Sequence, residues 1–167
     1  MKLKFMKSFK YLCLVTCLSL MAFSSLNKSE SSQKYKCMIQ MKNYEGEGAY
    51  IVISLVNPKG EYEKTVYVQG DDEKWYQDIT EWWNFQSKVD ENIDAITGAT
   101  ISGGNRTISI IEIPDDKLNK GYKIRFETSV EQQKHYIDDV EFRLTTETVN
   151  SRVEGKGFIR YIRILPQ

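Results

Sequence analysis

Residues 49–68 read Ala49-Tyr50-Ile51-Val52-Ile53-Ser54-Leu55-Val56-Asn57-Pro58-Lys59-Gly60-Glu61-Tyr62-Glu63-Lys64-Thr65-Val66-Tyr67-Val68. Side chains two apart in an extended chain point to the same side, so Ile51, Ile53 and Leu55 form one apolar strand face. Asn57-Pro58-Lys59-Gly60 then supplies turn formers, and the run from Tyr62 to Val68 is again strand-like. The stretch therefore predicts a β-hairpin. The same period recurs along the chain. Tyr35-Lys36-Cys37-Met38-Ile39 alternates, with Cys37 as a buried apolar thiol; Ile108, Ile110 and Ile113 mark a strand ended by Pro114-Asp115-Asp116. Tyr122, Ile124 and Phe126 alternate with Lys123, Arg125 and Glu127, and Val140, Phe142 and Leu144 with Glu141 and Arg143. Residues 158–165 form a last strand, stopped by Pro166. About seven short strands with frequent turns predict a mainly β fold, an antiparallel immunoglobulin-like β-sandwich.

One stretch departs from period two. Trp75, Ile79, Trp82 and Trp83 fall at helical spacing, which predicts one short helix over about residues 72–85, with Asp71 or Asp72 as its N-cap. All three tryptophans of the chain lie there. They either staple the helix to a sheet through their large apolar area or flank a flat aromatic ligand. A long irregular loop is expected to follow, over about residues 86–106.

The amino end carries Lys2, Lys4, Lys7 and Lys10 and no acid, then an apolar run at 11–23, then small and polar residues. This is the layout of a secretory signal peptide over residues 1–24, with Ala22 and Ser24 before the cleavage point. The apolar run falls short of the roughly 20 residues a membrane span needs. Leu14-Val15-Thr16-Cys17 loosely resembles a lipobox, but Thr16 suits that motif poorly and the apolar run continues past Cys17, which argues against a lipoprotein. Residues 25–33 read as a flexible spacer and 34–167 as a single domain, periplasmic or extracellular.

Four of the 23 Lys and Arg leave with the leader and none of the 23 acids does, so 19 basic residues face 23 acidic ones. That balance excludes nucleic acid as the main partner. Cys37 alone remains, which excludes an internal disulfide or a thiolate metal cluster, and the single His135 excludes a multi-histidine site. Asp138, Asp139 and Glu141 read as a solvated strand face, with calcium binding as the functional alternative.

The chemistry concentrates at Asn92-Ile93-Asp94-Ala95-Ile96-Thr97-Gly98-Ala99-Thr100-Ile101-Ser102-Gly103-Gly104-Asn105, rich in small residues. Within it, Asp94-x-x-Thr97-Gly98-Ala99-Thr100 resembles the flavinylation motif D-x-x-[ST]-G-A-T. In proteins with that motif, such as the FMN-binding subunits of sodium-pumping quinone reductases, an exported flavin transferase moves FMN from FAD onto the final threonine as a phosphoester. The residue types suit the task. A threonine hydroxyl is a weak nucleophile that needs a base and a metal-activated phosphoryl group from the modifying enzyme, so it must enter a foreign active site on a slim segment. Gly98 and Ala99 add almost no bulk before Thr100, and Asp94 would orient the loop or contribute charge during transfer. The plain alternative is a turn at Thr97-Gly98-Ala99 with Thr100 starting a strand.

A broader resemblance covers most of the chain. Ala49-Tyr50-Ile51-Val52-Ile53-Ser54, Gly60 with Tyr62 and Lys64-Thr65-Val66, Trp75, Trp82-Trp83, the segment 94–100 and Lys120-Gly121-Tyr122 resemble the predicted periplasmic family called domain of unknown function 2271. Ile101-Ser102-Gly103-Gly104 departs from that family's usual basic residue and Pro/Gly run, toward the ending seen in flavinylated subunits. Together the resemblances imply an extracytoplasmic electron carrier with covalent FMN on Thr100. Its cofactor contacts would come from Thr97, Gly98, Ala99 and Asp94, and from Trp82 or Trp83 beside the isoalloxazine. Its partners would be a flavin transferase and a PepSY-type membrane electron-transfer protein. The reading from a different class is a cofactor-free sandwich that binds a protein or glycan.

Overall fold

The computed structural model describes residues 31–167 apart from Asp90. The leader expected at residues 1–24, with Cys13 and Cys17, and positions 25–30 of the expected spacer lie outside the described residues. The described chain folds as a β-sandwich. One sheet orders β5 (Arg106–Pro114), β1 (Ser32–Met41), β9 (Ile159–Pro166) and β8 (Arg152–Glu154). The other orders β4 (Thr97–Gly98), β3 (Tyr62–Gln69), β2 (Tyr50–Val56), β6 (Lys123–Ser129) and β7 (Tyr136–Arg143). All pairings are antiparallel except β3 with β4.

Alternation decides which faces meet. Tyr35, Cys37 and Ile39 of β1, Ile51, Ile53 and Leu55 of β2, Ile124 and Phe126 of β6, and Ile162 and Ile164 of β9 are buried in one core between the sheets. Burial pushes the Cys37 thiol up to about 12, as an apolar thiol requires. The β2–β3 hairpin forms as read. Asn57 Oδ1 accepts the N–H groups of Lys59 at 2.9 Å and Glu61 at 3.1 Å, and Gly60 takes φ 91°.

Two strand expectations shift. β1 starts at Ser32, two residues before the expected domain boundary, because Ser32 and Gln33 pair with Pro114 and Ile113. Backbone pairing recruits them where side-chain pattern shows nothing. On β5 the inward residues are Ser109, Ile111 and Ile113, whereas Ile108 and Ile110 are 62% and 43% exposed. Three isoleucines spaced two and three apart cannot share one face of a regular strand, and the small Ser109 takes the inward position opposite Cys37.

β2 is buried on its other face as well. Val52 and Val68 pack with Tyr76, Ile79, Trp82 and Ile93 in a second core. The expected single helix at 72–85 is two pieces: a 3-10 helix Glu73–Asp78, capped by the Asp72 side chain on Lys74 N–H, and α1 (Thr80–Val89), with a break at Ile79 (φ −95°, ψ 70°). Three-residue turns explain the changed face: Tyr76, Ile79 and Trp82, three apart, point inward, while Trp75 is only half-buried. The expected loop at 86–106 loses its first positions to α1 and contains the 3-10 turn Asp94–Ile96 and strand β4.

Candidate functional site

The motif segment is built from its anchors outward. Ile93 is buried in the second core, Asn92 Oδ1 accepts the Asp94 N–H at 2.9 Å, and Ile96 N–H closes the turn on Ile93 O at 2.9 Å. Thr97 Oγ donates to Asp94 O at 3.2 Å. Thr97 and Gly98 then pair in parallel with Val68 and Gln69, at the edge of the five-stranded sheet. Gly70 N–H donates to Gly98 O, and the Gln69 side-chain amide donates to Ala99 O. One residue beyond Thr100, Ile101 is buried and bridges Ala49 through two backbone bonds, at 2.7 and 3.2 Å. Tyr44 Oη tightens that bridge, donating to Ile101 O at 2.7 Å and accepting Ala49 N–H at 2.9 Å.

Thr100 sits between these two clamps, and its side chain takes no part in them; both Ala99 and Thr100 are exposed. Glycines clear the space on either side. A Cβ on Gly48 would lie 2.5 Å from Thr100 Oγ and 2.7 Å from its Cβ, and one on Gly98 would strike the Tyr67 hydroxyl. The segment is held through its main chain, and the Thr100 side chain stays exposed beside Gly48.

Two clefts flank the segment. Thr100 lines an open cleft of about 130 Å³ with Gly48, Tyr50, Trp75 and the carboxylates of Glu47, Asp78 and Glu131. A larger cavity of about 340 Å³ is lined by Tyr76, Trp83, Asn92, Ile93 and Asp94. Tyr50 lines the first, Tyr76 the second, and their rings meet edge to face at 6.3 Å. The two ends of the motif thus face different spaces: Asp94 the larger cavity, Thr100 the smaller cleft. Burial raises the Tyr50 hydroxyl above its ordinary value, and the carboxylates of Asp72, Asp71 and Asp78 raise it further. Tyr76 is pushed up to about 12 by burial first, then by Glu73, Tyr50, Asp71 and Asp94. Both tyrosines therefore register a negative field.

The tryptophans divide differently from expectation. Trp82 is 0% exposed, and its Nε1 donates to Thr65 Oγ at 2.9 Å, so it has no surface to offer a ligand. Thr65 Oγ in turn donates to Gln86 Oε1 at 2.7 Å, which pins α1 to β3. Trp82 is a staple. Trp83 is half-buried and belongs to the larger cavity. The aromatic residues beside Thr100 are Trp75 and Tyr50, which pattern reading assigned to the helix stripe and to a strand.

Two polar clusters prove architectural. Glu127, 1% exposed, accepts from Tyr62 Oη at 2.5 Å, meets His135 Nε2 at 2.7 Å and accepts Trp82 N–H at 3.4 Å. Burial and the Glu127 charge both push the Tyr62 hydroxyl well up. Asp139 does not lie on a solvated face as its neighbours suggested: it is fully buried, accepting Thr128 Oγ at 2.7 Å, Gly157 N–H at 2.6 Å and Ile159 N–H at 2.9 Å. Glu141 pairs with Lys123 at 2.7 Å and Arg125 at 2.6 Å. These carboxylates are already engaged, and among the described residues no group of three or more His, Cys, Asp or Glu is arranged to hold a metal ion.

No curated protein and no solved structure matches the chain. A family description does, and it covers strands β1 to β8, the start of β9, the two clamps and both clefts. Residues 32–161 match the family described as "Predicted periplasmic protein (DUF2271)", and the chain belongs to that family.

Proposed function

We propose that the protein is a periplasmic electron carrier that bears FMN through a phosphoester on Thr100. The observation that carries this reading is the exposed Thr100 side chain, with its neighbours fixed on both sides and the approach kept open by Gly48. The residues present fit the group: a cradle that one Cβ would fill, an accessible hydroxyl and two aromatic rings in the adjoining cleft.

In the attachment step the Thr100 oxygen bonds to the FMN phosphorus of FAD and the bond to the AMP phosphate breaks. AMP leaves with the electron pair, and the hydroxyl proton passes to a base of the flavin transferase. Thr97, Gly98 and Ala99 position the acceptor through the β3 edge, and Asp94 orients the loop by taking the Thr97 hydroxyl on its backbone carbonyl. When bound, the flavin supplies the redox chemistry, and the chain supplies placement and field. Electrons would arrive from a PepSY-type membrane partner and pass to an extracytoplasmic acceptor. Export through a signal peptide cleaved after Ser24 completes the reading, because a covalent cofactor is not lost by dilution outside the cytoplasm.

The test is intact mass after coexpression with a flavin transferase. The expected result is a gain of FMN less one water, absent in Thr100→Ala, with flavin fluorescence retained after denaturation. No added mass, or an adduct that survives Thr100→Ala, would falsify the assignment.

One observation favours the second reading, a cofactor-free binding module. Ile108, Ile110 and Leu165 are exposed together on the outer face of the four-stranded sheet, where Lys36 pairs across to both Ile110 and Leu165. That reading predicts a colourless protein in which Thr100→Ala behaves as wild type.

A further inference from the structure

We infer that the cleft between Tyr50 and Trp75 seats the ring system of the Thr100-linked flavin, and that Glu47, Asp78 and Glu131 around it lower the flavin's midpoint potential. The inference rests on Thr100 as the attachment point.

Two features favour the small cleft over the larger cavity. It contains the attachment residue, whereas the larger cavity contains none of residues 97–100. It offers two aromatic rings of different kinds, both half-buried, so each keeps its place while leaving surface for stacking. Gly70 sets the position of Tyr50: with φ 136° it lies directly against the Tyr50 ring, where any Cβ would collide. Lys74 Nζ lies over the Trp75 ring, 5.1 Å from its centroid, and is itself paired with Asp72 at 2.8 Å.

The charges around the cleft share one sign. Glu47, Asp78 and Glu131 are exposed. None of the three has an ion-pair partner among the described residues. Among the described residues no basic residue lines the cleft, and Lys74 over its tryptophan is paired with Asp72. Adding electrons to a ring in this field is disfavoured by like-charge repulsion, so the potential falls below that of the same protein with neutral side chains.

The experiment uses protein flavinylated by coexpression with a flavin transferase, with FMN incorporation checked by intact mass for each variant. Stacking on tryptophan quenches flavin emission. Native wild type should therefore emit several-fold less than the same sample denatured. Trp75→Leu should recover most of that emission, Trp75→Phe should keep part of the quenching, and Trp83→Leu should change nothing. In a dithionite titration with mediator dyes, the triple variant Glu47→Gln, Asp78→Asn, Glu131→Gln should show a less negative midpoint potential. The gap from wild type should shrink as salt is raised. Full incorporation with emission indifferent to Trp75, or released by Trp83→Leu, overturns the seat while leaving Thr100 as the attachment point. An unchanged or more negative potential in the triple variant overturns the tuning. No incorporation in wild type removes the attachment reading and this inference with it.

Discussion

Two glycine-containing irregular segments of this sandwich are fixed in opposite ways. The turn entering β9 is gripped by a side chain: buried Asp139 takes the N–H groups of Gly157 and Ile159, and a Cβ on Gly157 would approach Asp139 Oδ2 to 2.8 Å. The segment from Thr97 to Ile101 is gripped by its backbone, through Gly70, Gln69, Ala49 and Tyr44. A polar side chain that fixes a loop is consumed by that task. Where main chain does the fixing, the side chain is left over for chemistry, and in this segment the residue left over is Thr100.

The strongest way to break this contrast is Asp139→Ala. It strands two backbone N–H groups and the Thr128 hydroxyl in the interior. We expect a loss of about 3–5 kcal/mol in urea unfolding, by the scale for removing one member of a buried charged cluster; a change below about 1 kcal/mol would remove side-chain gripping from the argument. Next comes Gly48→Ala, which places a methyl against Thr100 Oγ. It should cost about 1–2 kcal/mol from overpacking and lower the FMN incorporated per chain in the same coexpression, whereas Gly60→Ala, with open space around it, should leave incorporation unchanged.

Glu141 sharpens the comparison from within β7, two residues from Asp139. Burial works to raise its carboxyl, but Lys123 and Arg125 outweigh burial and hold it below the usual glutamate range. A depressed carboxylate adds stability that is present above its unfolded pKa, about 4.3, and lost as pH falls through the folded value. Glu141→Gln should therefore narrow the gap in stability between pH 7 and pH 3. The pair is partly screened by solvent, so the change should be under about 1 kcal/mol. An identical acid profile in the variant would show that the pair contributes nothing. The smallest effect belongs to Thr100→Ala: exposed and outside every clamp, it should move stability by no more than about 0.5 kcal/mol. A larger loss would mean that the threonine is itself structural.

What could be read from the chain follows the range of the forces. The β2–β3 hairpin was legible because Asn57, Pro58 and Gly60 act on residues within the turn. The inward faces of β1, β2 and β6 were legible because a strand's period is local. The helix break at Ile79 was not, since a 3-10 turn and an α-turn bury stripes that differ by a fraction of a residue, and three tryptophans satisfied the wrong one. Asp139 looked solvated because its donors lie 18 and 20 residues away, on a turn that only the fold delivers. For the candidate site, residues 94–100 were legible as a motif on their own, and Thr100 is exposed there. Tyr50 and Trp75 were not, because their place in the cleft depends on the β3 edge and on the face the 3-10 helix turns outward.

The double clamp around Thr100 bears on how any catalyst must approach it. Lifting residues 97–101 away means unzipping the β3 edge and the Ala49 bridge, and with them the buried side chain of Ile101. On the proposed reading, the threonine would not be drawn like a thread into a deep tunnel; a modifying enzyme would have to dock over a finished domain and read its surface contour. A free peptide copying residues 92–105 would have to adopt that bend on arrival, with the loss of chain entropy charged to binding, and so would be a much poorer acceptor than the folded protein.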